Sequence, residues 1–394
     1  MITCPSVSCP GRPARPQIWQ TRGMKDASDT ILADKLMARI RADGPIGVDD
    51  FMATCLADPQ SGYYQQADPF GAAGDFVTAP EISGLFGEMC GLYLAHIYTL
   101  AESPADAAII ELGPGRGTLM RDMRHVWSQL MPAMTGLPLH FLETGRQLRA
   151  LQARTVNGGE TGDAKINWHD DIASLLTAAD GPIFGIANEF FDALPVEQLV
   201  RHQGIWHQRQ VAVKHGQLAF AMGPPIPDPD IPMVSVPDDG AVVEQCPDAN
   251  SIITALARAV ARRGGAILII DYGSNGNPGN SLQAVADHQP VDIFHAPGRA
   301  DLSHWVDFAA LAKSASAAGA RLVSPVPQGR FLMRIGLAAR AEQAGKQADP
   351  VMRRALLAAI DRLTNPAQMG EVFKVALLVP QGDGLPPGFE GDAA

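Results

Sequence analysis

From Ala108 onward the chain alternates short β-branched apolar runs with helical segments, and that rhythm leaves few folds open to it. Strands are expected at Ala108–Leu112, Leu139–Glu143, Lys165–His169, Ile183–Asn188, Ala266–Asp271, Arg321–Val326 and Phe373–Val379. Between them the 3.6-residue period marks helices at Thr118–Met131, Arg146–Val156, Ile172–Ala178, Ser251–Arg263 and Leu302–Ala318, with Phe331–Ala344 and Pro350–Leu363 following. Strands joined through helices run parallel, and strands with no polar alternation must be covered on both faces. The expectation is an α/β fold, a parallel sheet between two helical layers.

Ahead of that layer, residues 25–104 read as a helical region. Ile31, Leu32, Leu36 and Ile40 give one apolar stripe, Val48–Leu56 a second short helix, and Thr78-Ala79-Pro80-Glu81 a capping box opening a long helix with Ile82, Leu85, Phe86, Met89, Tyr93 and Ile97 on its inner face. That stretch contains Glu88 and His96, which suits a core helix and not a membrane span. Residues 1–24 are proline-rich, with Arg12, Arg15 and Arg22 and no acid; they read as a disordered or mis-assigned start with Met24 opening the patterned chain, or as an organellar transit peptide. Residues 105–380 form the main domain, interrupted at 201–245 by a two-residue rhythm that suggests a β-hairpin, at 274–300 by a Gly/Asn/Pro stretch, and at 329–364 by helices; 381–394 is a flexible tail.

A net charge of -11, from 42 acidic and 31 basic residues, argues against general nucleic-acid binding, which needs a concentrated basic face. Five scattered cysteines give no disulfide framework, and no Cys/His spacing suits a metal, so none is expected.

The densest chemical signal is Glu111-Leu112-Gly113-Pro114-Gly115-Arg116-Gly117-Thr118, between the first strand and its helix. Glycines there permit positive φ and close approach of a ligand to the backbone, and the helix N-terminus presents free N–H groups. The spacing is G-x-G-x-G, not the G-x-G-x-x-G of dinucleotide binders. Glu143 ends the next strand, where a carboxylate can accept both ribose hydroxyls. Asp170-Asp171-Ile172 follows the third strand and either meets an adenine amino group or caps the next helix. Asn188 and Glu189 end the fourth. Acids on successive strand ends beside a glycine loop suit a nucleoside that is cationic and free of phosphate, which favours S-adenosyl-L-methionine over a nicotinamide cofactor.

The segment Asn188-Glu189-Phe190-Phe191-Asp192-Ala193-Leu194-Pro195 offers the acceptor side. A guanidinium is always protonated in water, so its nitrogen attacks only where carboxylates grip the planar fork and take the proton. Glu189 and Asp192 supply two carboxylates beside two aromatic walls, although Phe190 and Phe191 can equally be core and Asp192 a cap. Asp75, in Gly74-Asp75-Phe76-Val77, is a third catalytic candidate facing cofactor or substrate. Asp271-Tyr272-Gly273 lines the outer wall or simply ends its strand, and His304 reads as structural.

Together GDFVTAPEISGLFGE, IIELGPGRGTLMRDM, LRALQ, ANEFFDALPVEQLV, LIIDYG, LQAVADH and QMGEVFKVALLVP closely resemble the MidA-like family of class I S-adenosyl-L-methionine-dependent methyltransferases, over about Leu36 to Val379. The resemblance implies a Rossmann-like seven-stranded methyltransferase sheet with Phe373–Val379 antiparallel, plus an N-terminal helical region and inserted β-hairpin and helical segments. It implies ω-N methylation of a protein arginine, in the family's case in the 49-kDa-type subunit of NADH:ubiquinone oxidoreductase (complex I). Gly113, Gly115 and Gly117 become the cofactor loop, Glu143 the ribose ligand, and Asn188–Pro195 the catalytic segment. Gly145, Asn280, Trp305 and Pro327 depart from the family pattern, on the substrate side. A bacterial cytoplasm fits the arginine-rich, lysine-poor makeup, with a mitochondrial matrix as the alternative, and a homodimer is compatible with the sequence. The rival reading is a non-catalytic complex I assembly chaperone that keeps the fold.

Overall fold

In the computed structural model, the residues described are 30–65, 78–158, 164–227, 231, 238–277, 279–382 and 384–390. The main sheet has seven strands across its width, β1 Ala108–Leu112, β2 Leu139–Leu142, β3 Ile166–His169, β4 Ile183–Asn188, β5 Gly265–Ser274, β6 Ala320–Pro327 and β7 Phe373–Pro380, and the two-residue strand Val306–Asp307 pairs parallel with the end of β5. Their spatial order is β6-β7-β5-β4-β1-β2-β3, and only β7 runs antiparallel to its neighbours. The chain therefore reverses its direction of travel across the sheet between β1 and β4. Side-by-side parallel strands splay apart at such a switch point and leave a crevice at their carboxyl ends.

The expected strands all form, within a residue or a few at their ends. Buried side chains explain why: β1 and β4 are buried along their whole lengths, as continuous apolar strands must be. Helices α1 Gly84–Leu100, α2 Thr118–Leu130 and α3 Arg146–Asn157 contribute to the core on one face, where Phe86, Met123, Trp127 and Val156 meet Phe141 and Phe184. Pro247–Arg263 and Phe308–Ala317 cover the other, with Ile253, Leu256 and Phe308 against Ile267 and Ile269.

Two expectations need correction, and a third, the inserted hairpin, forms within a larger sheet than expected. The capping box does not open the long helix: a one-turn helix Ala79–Ile82 ends at extended Ser83, whose Oγ accepts from Leu85 N and caps Gly84–Leu100 instead. Thr78 makes no side-chain capping bond, and Glu81 Oε1 accepts from Thr118 Oγ1 at 2.6 Å. The helix expected from Leu302 starts at Phe308, where Asp307 caps it through Ala309 N and Ala310 N, because Asp301–Ser303 pairs with Gln283–Ala286. The hairpin expected within 201–245 is part of a larger antiparallel sheet of Ile46–Gly47, Glu197–His202, Ile205–Lys214, Gln217–Ile226 and Val242–Gln245. Its two tight turns, Gln203-Gly204 and His215-Gly216, have positive φ at both residues, matching strand twist as two-residue hairpin turns require.

This second sheet and the N-terminal helices Ile31–Asp43 and Val48–Ala57 share a third core, in which Leu36, Phe51 and Met52 pack with Val196, Val211 and Leu302. Of the N-terminal helical region, Val48–Ala57 thus sits over the carboxyl edge of the main sheet, while Gly84–Leu100 packs on the sheet's face. Residues 1–29, 66–77 and 391–394 lie outside the described residues, so the expectations for 1–24, for the last residues of the tail and for Asp75 fall there. Among the described residues no helix is long and apolar enough to cross a membrane.

The sheet centre leaves no slack. A Cβ on Gly185 of β4 would lie 2.3 Å from Ile110 Cγ1 and 2.4 Å from Ile110 O. Gly185→Ala is expected to lower unfolding stability by about 3 kcal/mol, the range for forcing extra atoms into a packed core. Gly382→Ala, with nothing within 4 Å of its added Cβ, should change it by less than about 0.5 kcal/mol. Urea midpoints of the two variants check this.

Candidate active site

A cavity of about 380 Å³ opens at the switch point. Its floor comes from the ends of β1, β2 and β4 and the turn after β3, through Glu111, Glu143, Asn188 and Asp170. Gly113 and Gly115 form one side, and Glu189 and Phe190 the other. Ala53, Leu56 and Ala57 of helix Val48–Ala57, with Tyr64 just beyond, close over the top.

The glycine loop reaches this position because its backbone is left-handed at all three glycines, with φ of 61°, 51° and 82° at Gly113, Gly115 and Gly117. Two of the three glycines have a further, steric reason. A Cβ at Gly113 would lie 2.9 Å from Phe190 Cδ2, so the loop can lie against the aromatic wall only without one. Gly117, the residue before α2, lies behind the loop: a Cβ there would meet Gln152 Cα at 3.2 Å and Val156 Cγ2 at 3.3 Å. Gly117 does not line the cavity.

Two acids of the floor, Glu111 and Glu143, are held largely out of water, while Asp170 is exposed. Burial alone pushes Glu111 up to about 8, and its Oε2 is buried with no hydrogen-bond partner. Burial also raises Glu143, against the pull of Gly145 N, Gln152 and Arg149. Gly145 N donates to Glu143 Oε1 at 2.7 Å, and Gln152 Nε2 donates to Glu143 Oε2 at 3.0 Å. Arg149 donates to the Glu143 carbonyl and pairs with Asp170. With carboxylates at three strand ends and burial unrelieved at Glu111, the cavity suits a ligand that brings positive charge and repels a pyrophosphate.

Glu189 is the most constrained residue of the wall. Its φ of 51° is left-handed for a non-glycine residue, a conformation that costs about 1–3 kcal/mol and persists only where surroundings enforce it. Its N donates to Ile270 O at 2.9 Å, while Oε1 accepts from Ala79 N and Asn188 Nδ2, both at 3.1 Å. Burial first, and Asp192 second, push its carboxyl up to about 7. Below the wall, Asp271 Oδ2 accepts from Phe191 N at 3.0 Å and Asp192 N at 3.3 Å, and Oδ1 accepts from Tyr272 N at 2.9 Å. Asp271 is wholly buried, and burial together with Asp192 and Glu189 raises it well above the usual carboxylate range. It fixes the turn that carries Glu189.

The structure thus brings Glu111, Gly113, Gly115, Glu143, Asn188 and Glu189 to one cavity. Asp192 is buried behind the wall; burial raises it, and Tyr272 and His304 beside it oppose the shift. Asp171 and Ile172 do not line the cavity; Asp171 Oδ1 accepts from Ser174 N at 2.8 Å as a helix cap, and Asp170 takes the cavity position. Phe190 lines the cavity, while Phe191 is core. Sequence reasoning passed over Tyr64, Leu56 and Gln152. The first two belong to the roof and come together only through tertiary packing; Gln152 was legible only inside the LRALQ run. Among the described residues no cluster of three or more His, Cys, Asp or Glu is placed to hold a metal.

The family described as putative S-adenosyl-L-methionine-dependent methyltransferase matches residues 89–326. The mitochondrial protein arginine methyltransferase NDUFAF7 of Rattus norvegicus is 33% identical over 402 residues, covering 94% of this chain and 91% of that protein. The Homo sapiens protein of that name is 32% identical over 398 residues, covering 94% and 89%. A crystal structure of a likely methyl transferase of the COG1565 superfamily from Burkholderia thailandensis, bound to S-adenosyl-homocysteine, is 25% identical with a TM-score of 0.78, covering 94% of this chain and 98% of that one.

Glu111 binds its proton up to about pH 8 in the folded chain, against an ordinary value of 4.5. A carboxyl raised on folding adds stability that is fully present below pH of about 4.5 and lost as pH climbs to about 8. Glu111→Gln removes that loss. The melting temperature of the variant relative to wild type should rise by about 5 °C between pH 5 and pH 8.5, the shift expected for a few kcal/mol in a chain of this size. A difference independent of pH in thermal scans would place the Glu111 charge in contact with water.

Proposed function

The chain belongs to the family of putative S-adenosyl-L-methionine-dependent methyltransferases, and from that premise we propose that its acceptor is an arginine side chain of a protein. Glu189 carries the reading. A buried carboxyl near 7, beside an aromatic ring and facing an acidic cavity, is poised to bind a guanidinium and to take a proton from it. The relatives named as protein arginine methyltransferases support the same acceptor.

The residues present fit the cofactor. The unpartnered Oε2 of Glu111 and the Cβ-free cradle at Gly113 accept a cationic, phosphate-free nucleoside pressed against the backbone. Gly113 and Gly115 would hold its methionine end near Glu111, and Glu143 its ribose. When bound, it supplies a methyl group activated by the sulfonium. This chain's own part is alignment and proton management, since a displacement in line with the leaving sulfur needs little else. As the acceptor nitrogen forms its bond to the methyl carbon and the carbon–sulfur bond breaks, one N–H proton must leave. Glu189 receives it and passes it to solvent, while Asp271 holds the turn that carries Glu189.

At a finer grain, the family resemblance supports the 49-kDa-type subunit of complex I as the substrate, and a role in assembly of that complex. It also supports a respiratory compartment: a bacterial cytoplasm from the composition, or the matrix setting that the relatives' mitochondrial names suggest.

Purified protein incubated with labelled methyl donor and the candidate subunit should yield methylarginine by mass spectrometry. Glu189→Gln should lower turnover about a hundredfold, as loss of a general base does, with cofactor affinity within about threefold. Gly115→Val places a β-branched residue at φ 51° and should abolish cofactor binding with the fold retained. Unchanged turnover in Glu189→Gln removes it from the mechanism. A partner complex that matures normally with no methylarginine formed favours the chaperone reading.

A further inference from the structure

Gln152 is wholly buried on α3, and three of the four hydrogen-bonding directions of its amide, both N–H groups among them, are used. Oε1 accepts from Trp168 Nε1 at 2.8 Å, while Nε2 donates to Gly115 O at 2.8 Å and to Glu143 Oε2 at 3.0 Å. An indole N–H only donates, so Trp168 settles which end of the amide is oxygen and turns both N–H groups towards the cavity elements. One side chain therefore ties the carbonyl of the middle loop glycine to the carboxylate that ends β2. The glycine loop forms one side of the cavity and Glu143 part of its floor, so the amide spans the corner between them. The glycine behind the loop belongs to this device: without a Cβ at Gly117, α3 approaches until Gln152 Cα is 3.2 Å from where that carbon would sit.

We propose that Gln152, oriented by Trp168 and admitted by Gly117, is the positioning residue that sets the distance between the glycine loop and Glu143 and so presets the cofactor cradle. The proposal rests on the cofactor reading given above, since it assigns Glu143 and the loop to one ligand. Gln152 touches no cavity space itself; it acts through the two groups it holds. Its chemistry is specific. A leucine would take their partner from Gly115 O, Glu143 Oε2 and the Trp168 N–H, all three part-buried. A glutamate keeps the shape but, neutral, has a single proton to donate; ionised, it has none and faces the Glu143 carboxylate. The charged groups around that position are Glu143 after β2, Arg149 on the same helix and Asp170 after β3.

Calorimetric titration with S-adenosylhomocysteine, at pH 6 and pH 8.5, tests this on the full chain. Gln152→Leu should weaken binding about thirtyfold at both pH values. Gln152→Glu should weaken it about fivefold at pH 6 and about fiftyfold at pH 8.5, each against wild type at the same pH, because ionisation removes the last donor. Trp168→Phe keeps an aromatic ring beside Phe141 and should weaken binding about fivefold by letting the amide turn. Affinities within twofold of wild type in all three variants overturn the proposal. So does a loss in Gln152→Glu that is equal at both pH values and follows only a fall in melting temperature, since that marks mere packing. Glu143→Ala serves as the separate arm: if it binds as wild type does, the cofactor reading fails whatever Gln152 does.

Discussion

Carboxylates kept from water without a matching cation are the constraint around which this molecule is built. Glu111, Asp192 and Asp271 are buried, and Glu143 and Glu189 lie at the same sheet edge with raised proton affinities. Such groups are costly unless backbone amides or a ligand answer them. Three amides answer Asp271, and in return it holds the Phe191–Tyr272 corner in register. Among the described residues nothing of opposite charge answers Glu111. The left-handed backbone of Glu189, the three left-handed glycines and the sequestered Gln152 amide follow from the same demand, because each places a group at the switch point that ordinary strand or helix geometry would turn away.

The main sheet was legible because its strands are uninterrupted apolar runs and its helices carry a clean 3.6-residue stripe, signals that survive whatever packs on them. The glycine loop, Glu143 and Glu189 were legible because strand ends at a switch point are a position that topology alone defines. What escaped is what depends on partners distant in the chain. Thr78 and Glu81 have the spacing of a capping box, yet Thr118 outcompetes the backbone for Glu81 and Ser83 takes over the capping. Leu302 fits a helical stripe, yet Gln283–Ala286 recruits it into a strand. Asp170 and Asp171 are adjacent acids that local sequence cannot tell apart; the Arg149 contact draws one towards the cavity and the Ser174 amide takes the other.

The roof has a different origin from the floor. Strand ends and tight turns make the floor, so its atoms are fixed by the hydrogen-bonded sheet. Helix Val48–Ala57 and Tyr64 make the roof, and these hang from the second sheet, to which Ile46–Gly47 is paired. The acidic, rigid half suits recognition of a constant ligand; the half built of Ala53, Leu56 and an aromatic phenol suits one whose surroundings vary.

The pairing of Ile46 with Val211 and of Gly47 with Gln210 has a bearing on how such chains diversify. Segments 30–65 and 196–226 are far apart in sequence but share one core, completed by Leu282, Ala284, Ala300 and Leu302, so neither can be exchanged alone without exposing the other's apolar face. Recombination between homologous chains would have to carry both pieces at once. Inherited together, they form a transplantable cap, by which a lineage could acquire new clientele while its nucleoside grip stayed as it was.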